Sequence, residues 1–256
     1  MATIRTLIAT PTAMTDGFSH AQSLALVRVM AWLSPAFPTG GFAYSSGLEA
    51  AVQAGFVSDE ASLAGWVNTN LKQGSLQLDA KFLSLAHNAG CHSAGAQSNA
   101  GVEEIRELQN LAAAFAGNSV RWRETTAQGA AFLSGLDERA EFSETDVRVA
   151  LSLDADTDSP LPVAIGAATA HGGVARPTAI LAFLQAAIGQ QLSAAIRLNL
   201  IGQNGAARLL DRLEKPIVEA MEAALDCTQD ELTAATPIAD VLAAQHEILD
   251  SRLFLS

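Results

Sequence analysis

Apolar residues recur along this chain at three- and four-residue spacing, and no stretch alternates long enough to predict a strand. Leu24, Val27, Val29 and Met30 mark a short helix over 22–33. The loop that follows reads as launching another at Ser46-Gly47-Leu48-Glu49, to be stopped by Gly55. Ser58-Asp59-Glu60 starts the next, with acids in the first turn where they complement the helix dipole. Leu63, Trp66, Val67, Leu71, Leu78, Phe82 and Leu85 continue helical spacing to about residue 88. The small, polar run 89–100 predicts a loop. Helices follow near 101–116, with Ile105, Leu108, Leu111 and Phe115 on one face, and near 118–136. Ser143 to Asp146 starts a short helix, and 154–160 is an acidic turn. Pro162 precedes a helix rich in Gly and Ala that should end at Gly172-Gly173, and Arg176-Pro177 opens the next.

Residues 178–196 form the longest apolar run. Gln185, Gln190, Gln191 and Ser193 make it too polar for a lipid-facing span, so it predicts a buried central helix and no membrane partner. Leu209, Leu210, Leu213, Ile217, Ala220, Met221 and Leu225 mark an amphipathic helix that Pro216 should kink or split. Thr236-Pro237 caps a last helix. These elements describe an all-α, compact single-domain bundle of about ten helices over 22–256, with 1–21 a flexible tail.

Composition agrees with helix. Of 256 residues, 49% are apolar and 16% charged, with a single tyrosine. The net charge of −12 repels phosphate backbones, which argues against nucleic acid as a partner. Cys91 and Cys227 form no CxxC, and reduced thiols in a cytoplasmic protein are the expectation. No basic, then apolar leader opens the chain.

The stretch SPAFPTGGFAYSSGLEAAV, residues 34–52, poses the chemical question. A Walker A loop needs four residues between its glycines and then Gly-Lys-Ser/Thr; here Gly41 and Gly47 are separated by five and leucine follows. Neither Ser45 nor Ser46 has the flanking glycines of a nucleophile elbow. His87, Cys91 and His92 have partial metal-ligand spacing, but the glycine and loop composition around them predict a solvated segment rather than a metal site. A hydrolase or lyase site would need Ser45, Glu49, Glu124 and His171 to converge. A direct metal carrier would need His87, Cys91 and His92. No convincing catalytic set stands out.

The same stretch resembles the UreF family of urease accessory proteins. Ser34, Pro35, Pro38, Gly40, Phe42, Tyr44, Ser45, Gly47, Leu48 and Glu49 match its S-P-x-x-P-x-G-x-F-x-Y-S-x-G-L-E pattern in order. RETTAQG from Arg123, PVAIGAA from Pro162, the apolar helix ending in a G-Q turn, and the terminal SRLFLS resemble later family segments. Leu255 stands where many members carry arginine, and Ser159, Pro160 and Leu161 occupy a region that often holds histidine.

The resemblance implies an all-helical, non-enzymatic adaptor. Such proteins dimerise, bind UreD (also called UreH), recruit the GTPase UreG, and dock on apo-urease during nickel insertion. Nickel and GTP are handled by the complex, so no cofactor is expected on this chain. The resemblance also implies a partner-facing set: Gly40, Gly41, Phe42, Tyr44, Ser45, Glu49, Arg123, Glu124, Gln128 and Arg252. Tyr44 suits an interface, with a large apolar ring and one polar tip.

Overall fold

A computed structural model describes residues 19–96, 99–137, 159–233, 241–242 and 252–256. Among them the α-helices are α1 (His20–Trp32), α2 (Leu48–Gln53), α3 (Glu60–Gln73), α4 (Ser75–Ala96), α5 (Asn99–Phe115), α6 (Ser119–Asp137), α7 (Leu161–His171), α8 (Arg176–Arg197) and α9 (Gln203–Leu225). Single 3-10 turns lie at Gly41–Ala43 and Gln229–Glu231, and the described residues contain no strand. Among the described residues the fold is all-α, with nine α-helices against the ten or so expected of the whole chain. The helix starting at Ser143, the acidic turn near 154–158 and most of the last helix lie outside the described residues.

The helix punctuation follows local chemistry. Ser19 caps α1 in a reciprocal box with Gln22, so helix begins inside the stretch expected to be a tail. Asp59 and Ser62 form the equivalent box at α3. Gly55 and Gly173 take left-handed φ just beyond α2 and α7, as their sequence positions predict. Pro177 lies in the first turn of α8.

At the centre, α4 and α7 cross closely. A Cβ on Gly90 would lie 2.9 Å from the Ala170 methyl and 3.2 Å from the Ala167 Cα. A Cβ on Gly166 would reach the α4 backbone, 3.0 Å from the His87 nitrogen. Small residues on both helices let the backbones approach this far, and Leu83, Ala86, Val163 and Ala167 bury around the contact. This packing corrects the loop expected at 89–100. Ala89 and Gly90 are small because α7 sits against them, and α4 runs on to Ala96.

Two further expectations change. Pro216 does not split α9, which continues through it, anchored by buried Leu209, Leu213, Ile217, Ala220 and Ala224. The long apolar helix α8 is only half buried over its most apolar 18 residues. It turns Ile180, Phe183, Leu184, Ile188 and Leu192 inward.

Gly166→Ala is expected to lower stability by about 2 kcal/mol or more, because backbone rather than a pliable side chain blocks the new methyl. Gly189→Ala in α8 meets open space and is expected to raise stability by about 0.5–1 kcal/mol. Urea unfolding of the two variants checks both signs.

Candidate functional site

The loop after α1 is pinned from below. Phe37 buries its ring against Phe132 of α6, centroids 5.5 Å apart, and Trp32 meets the same ring edge-on at 6.1 Å. Gly40 then adopts φ +70°, and Gly41 comes so close to α8 that a Cβ would lie 2.6 Å from Gln190 Oε1. The 3-10 turn from Gly41 to Ala43 leads into extended Tyr44.

The next residues depart from the expected capping box. Ser46 has φ +52° and Gly47 φ +81°, and the N-cap of α2 is Gly47, which makes no side-chain cap bond. The Ser46 hydroxyl instead donates to Glu124 Oε1 of α6 at 2.8 Å. Ser45 Oγ accepts the Glu49 N–H at 3.2 Å. The Glu49 carboxylate turns to the distant tail, where Oε1 accepts the Leu253 N–H at 2.8 Å and Oε2 the Phe254 N–H at 3.1 Å. Two backbone donors replace the one that a capping box offers.

The tail is held along its length. The Leu255 N–H donates to the Ala43 carbonyl at 2.8 Å, and the Ser45 N–H to the Ser256 carbonyl at 3.0 Å. The Ser45 hydroxyl donates to that same carbonyl oxygen. The Ser256 hydroxyl donates to Glu124 Oε2 at 2.6 Å. Phe254 is buried, with the Arg197 guanidinium 4.1 Å from its ring centroid. Glu124 therefore binds loop and tail at once, and Gln128 Nε2 adds a bond to Oε1 at 3.3 Å.

Behind Glu124 lies a small polar cavity of about 60 Å³, lined in part by Ser46, Asp79, Arg121, Gln190 and Gln191. Arg121 pairs with Asp79 at 2.7 Å. The Gln191 Oε1 there is buried without a hydrogen-bond partner. Burial raises the proton affinity of both Asp79 and Glu124; Arg121 opposes the shift at Asp79, and the Ser256 and Ser46 hydroxyls oppose it at Glu124. Tyr44 is pushed up as well, by burial first and by the Glu124 charge second. A larger groove of about 500 Å³ runs beside the loop, lined by Phe37, Gly41, Phe42, Gln128, Phe183 and Gln190 among others, none of them charged.

The ten residues singled out from sequence divide in two. Ser45, Glu49 and Gln128 are buried, and Glu124 is half-buried with bonds to Ser46, Ser256 and Gln128. These four bond to one another's segments, joining the loop, the tail and α6. Phe42 is 74% exposed, Arg123 and Arg252 are exposed, and Gly40, Gly41 and Tyr44 are half-buried. Ser45, Glu49 and Glu124 do converge, yet on the tail, while His171 is exposed at the end of α7. His87 is buried on helical α4, not in a solvated loop: its Nε2 lies 2.8 Å from the Val174 carbonyl, and Nδ1 is 3.8 Å from Cys91 Sγ. His92 faces Glu104 at 3.2 Å. Among the described residues no three His, Cys, Asp or Glu side chains gather as a metal would require.

Sequence reasoning missed Arg197, Asp79 and Ser256. A signal existed for the first, since Arg197 ends a long helix whose only other charge is Arg176 at its start.

A family model for UreF matches residues 57–214. Proteins named urease accessory protein UreF are similar over nearly the whole chain. The one from Agrobacterium fabrum is 42% identical over 232 residues, covering 91% of this chain and 96% of the relative. This chain belongs to the UreF family. The Bradyrhizobium diazoefficiens relative is 41% identical over 92% of this chain and 93% of its own length, and that of Mesorhizobium japonicum 41% over 95% and 100%. The UreF model match leaves out both the loop at 34–49 and the tail, whereas the full-length relatives extend over more than nine-tenths of the chain.

Because its folded state holds the Glu124 proton more tightly than the unfolded chain, this group's contribution to stability is present at low pH. It is lost as pH rises through and above the ordinary glutamate range. Glu124→Gln, which keeps an acceptor without the charge, is expected to gain stability relative to wild type between about pH 5 and about pH 8. Urea melts of both proteins at the two pH values measure it, and an unchanged difference would count against a buried, titrating Glu124.

Proposed function

We propose that this UreF-family protein is a non-enzymatic adaptor in maturation of the urease nickel centre. In this reading it works as a cytoplasmic homodimer, binds UreD (UreH), and recruits the GTPase UreG to apo-urease. Nickel and GTP stay with the other members of the complex. What supports the reading most directly is the loop–tail clamp. Tyr44 lies between Ala43 and Ser45, which bond residues 255 and 256. Arg252 immediately precedes Leu253, which bonds Glu49. Two residues more than two hundred positions apart thus flank one fixed joint, each with solvent access. A surface assembled this way has the rigidity that recognition requires, because its anchors are locked before a partner arrives.

The carboxylates of this joint already accept intramolecular donors, which favours a structural role over general acid–base work. The Nε2 atom of His87 likewise already faces a carbonyl, which disfavours the direct nickel-carrier reading.

Tyr44→Ala and Arg252→Ala are expected to fold as wild type and to weaken association with GTP-loaded UreG, in the presence of UreD, by tenfold or more. Light scattering on the size-exclusion peak gives the composition, and titration gives the affinity. Full affinity in both variants would sink the assignment of this face to UreG.

A further inference from the structure

We infer that the surface carrying residues 253–256 is a peptide-binding groove, and that the chain's own tail is its ligand in cis. The ligand class is a short segment with an aromatic residue and, two positions later, a serine. The inference stands on the hydrogen bonds and holds whichever proteins the exposed face meets.

The tail is seated with alternate side chains inward: Leu253 and Leu255 are 59% and 65% exposed, whereas Phe254 and Ser256 are 4% and 2%. The backbone bends at Leu253 and Phe254, which brings both of their N–H groups onto one carboxylate. Every backbone N–H from Leu253 to Leu255 is taken up, two by the Glu49 carboxylate and one by the Ala43 carbonyl. The Ser256 carbonyl receives both donors of Ser45. Backbone bonds supply affinity in this mode of recognition, and pockets for alternate side chains supply specificity.

Both pockets are present. The inward ring of Phe254 lies under the Arg197 guanidinium, which favours an aromatic residue over an aliphatic one. The inward hydroxyl of Ser256 donates to Glu124, an acceptor that a residue without a donor would leave unfilled. The receiving side is built by elements remote in sequence. Ser45 is set by the left-handed turn at Ser46 and Gly47, and Glu49 by the first turn of α2.

A ligand tethered in cis acts at an effective concentration in the millimolar range. A free peptide of the same sequence therefore competes poorly until the tail is weakened. The test uses the full chain and an acetylated, fluorescein-labelled SRLFLS peptide, read by fluorescence anisotropy. Phe254→Ala is expected to bind the peptide at least tenfold more tightly than wild type does. Adding Glu49→Leu to that variant is expected to abolish the gain, as is changing the peptide phenylalanine to alanine. Leu253→Pro is a second opener: it deletes the N–H that meets Glu49 while altering an exposed side chain, and it is expected to act in the same direction. Circular dichroism establishes folding of each variant. If the folded openers take up no peptide, or bind it no better than wild type, the tail is an integral part of the core and the inference is overturned. No partner protein enters the measurement, so its failure leaves the adaptor reading standing.

Discussion

The Glu49 carboxylate is the hinge of this architecture. It sits almost fully buried in the first turn of a six-residue helix and accepts two backbone N–H groups from the far end of the chain. A buried carboxylate is costly without such donors, and two charge-assisted bonds offset much of that cost. The constraint is mutual. The tail gains a fixed register, and α2 gains a reason for its position. Ser45 and Glu124 extend the same joint, so the loop, the tail and α6 meet at one place.

The rest of the molecule holds that place still. The close crossing of α4 and α7 forms the centre, made possible by Gly90, Gly166 and neighbouring alanines. Helix α6 packs against the start of α7, where a Cβ on Gly129 would lie 3.1 Å from the Leu161 nitrogen. Glu124 is carried on that helix, and Arg121 one turn before it pairs with Asp79 of α4. The clamp is thus tied to the core through side chains as well as backbone. Desolvation raises the cost of ionising both Asp79 and Glu124, with the Asp79 charge adding a smaller push at Glu124, which links this joint to pH.

Much of the fold could be read in advance because helix signals are local. Asp59 with Ser62, Pro177, Gly55 and Gly173 each act within a few residues of themselves, and the structure shows them where the sequence predicts. The misreadings share a cause. At 89–96 small residues looked like loop, yet the segment is helix, and at Gly90 the reason for a small residue is the α7 backbone lying against it. At Pro216 the lost hydrogen bond is outweighed by one continuous buried face. At the site, the motif was visible, but its division into exposed and buried members was not. Ser46 and Glu49 have the spacing of a capping box, but Ser46 is taken up by Glu124 of α6 and Glu49 by the tail.

The sequence by itself determined the helical class, most helix boundaries and, through the 34–49 motif and the terminal SRLFLS, the family. Those properties rest on propensities, caps and residue identities, all of which are local. Tertiary structure alone decided that Glu49 and Glu124 face inward, that Arg197 covers Phe254, and that Tyr44 and Arg252 flank one joint. Each of those facts requires two segments far apart in the chain to meet, and which buried donor a carboxylate finds is settled by packing, not by spacing along the sequence.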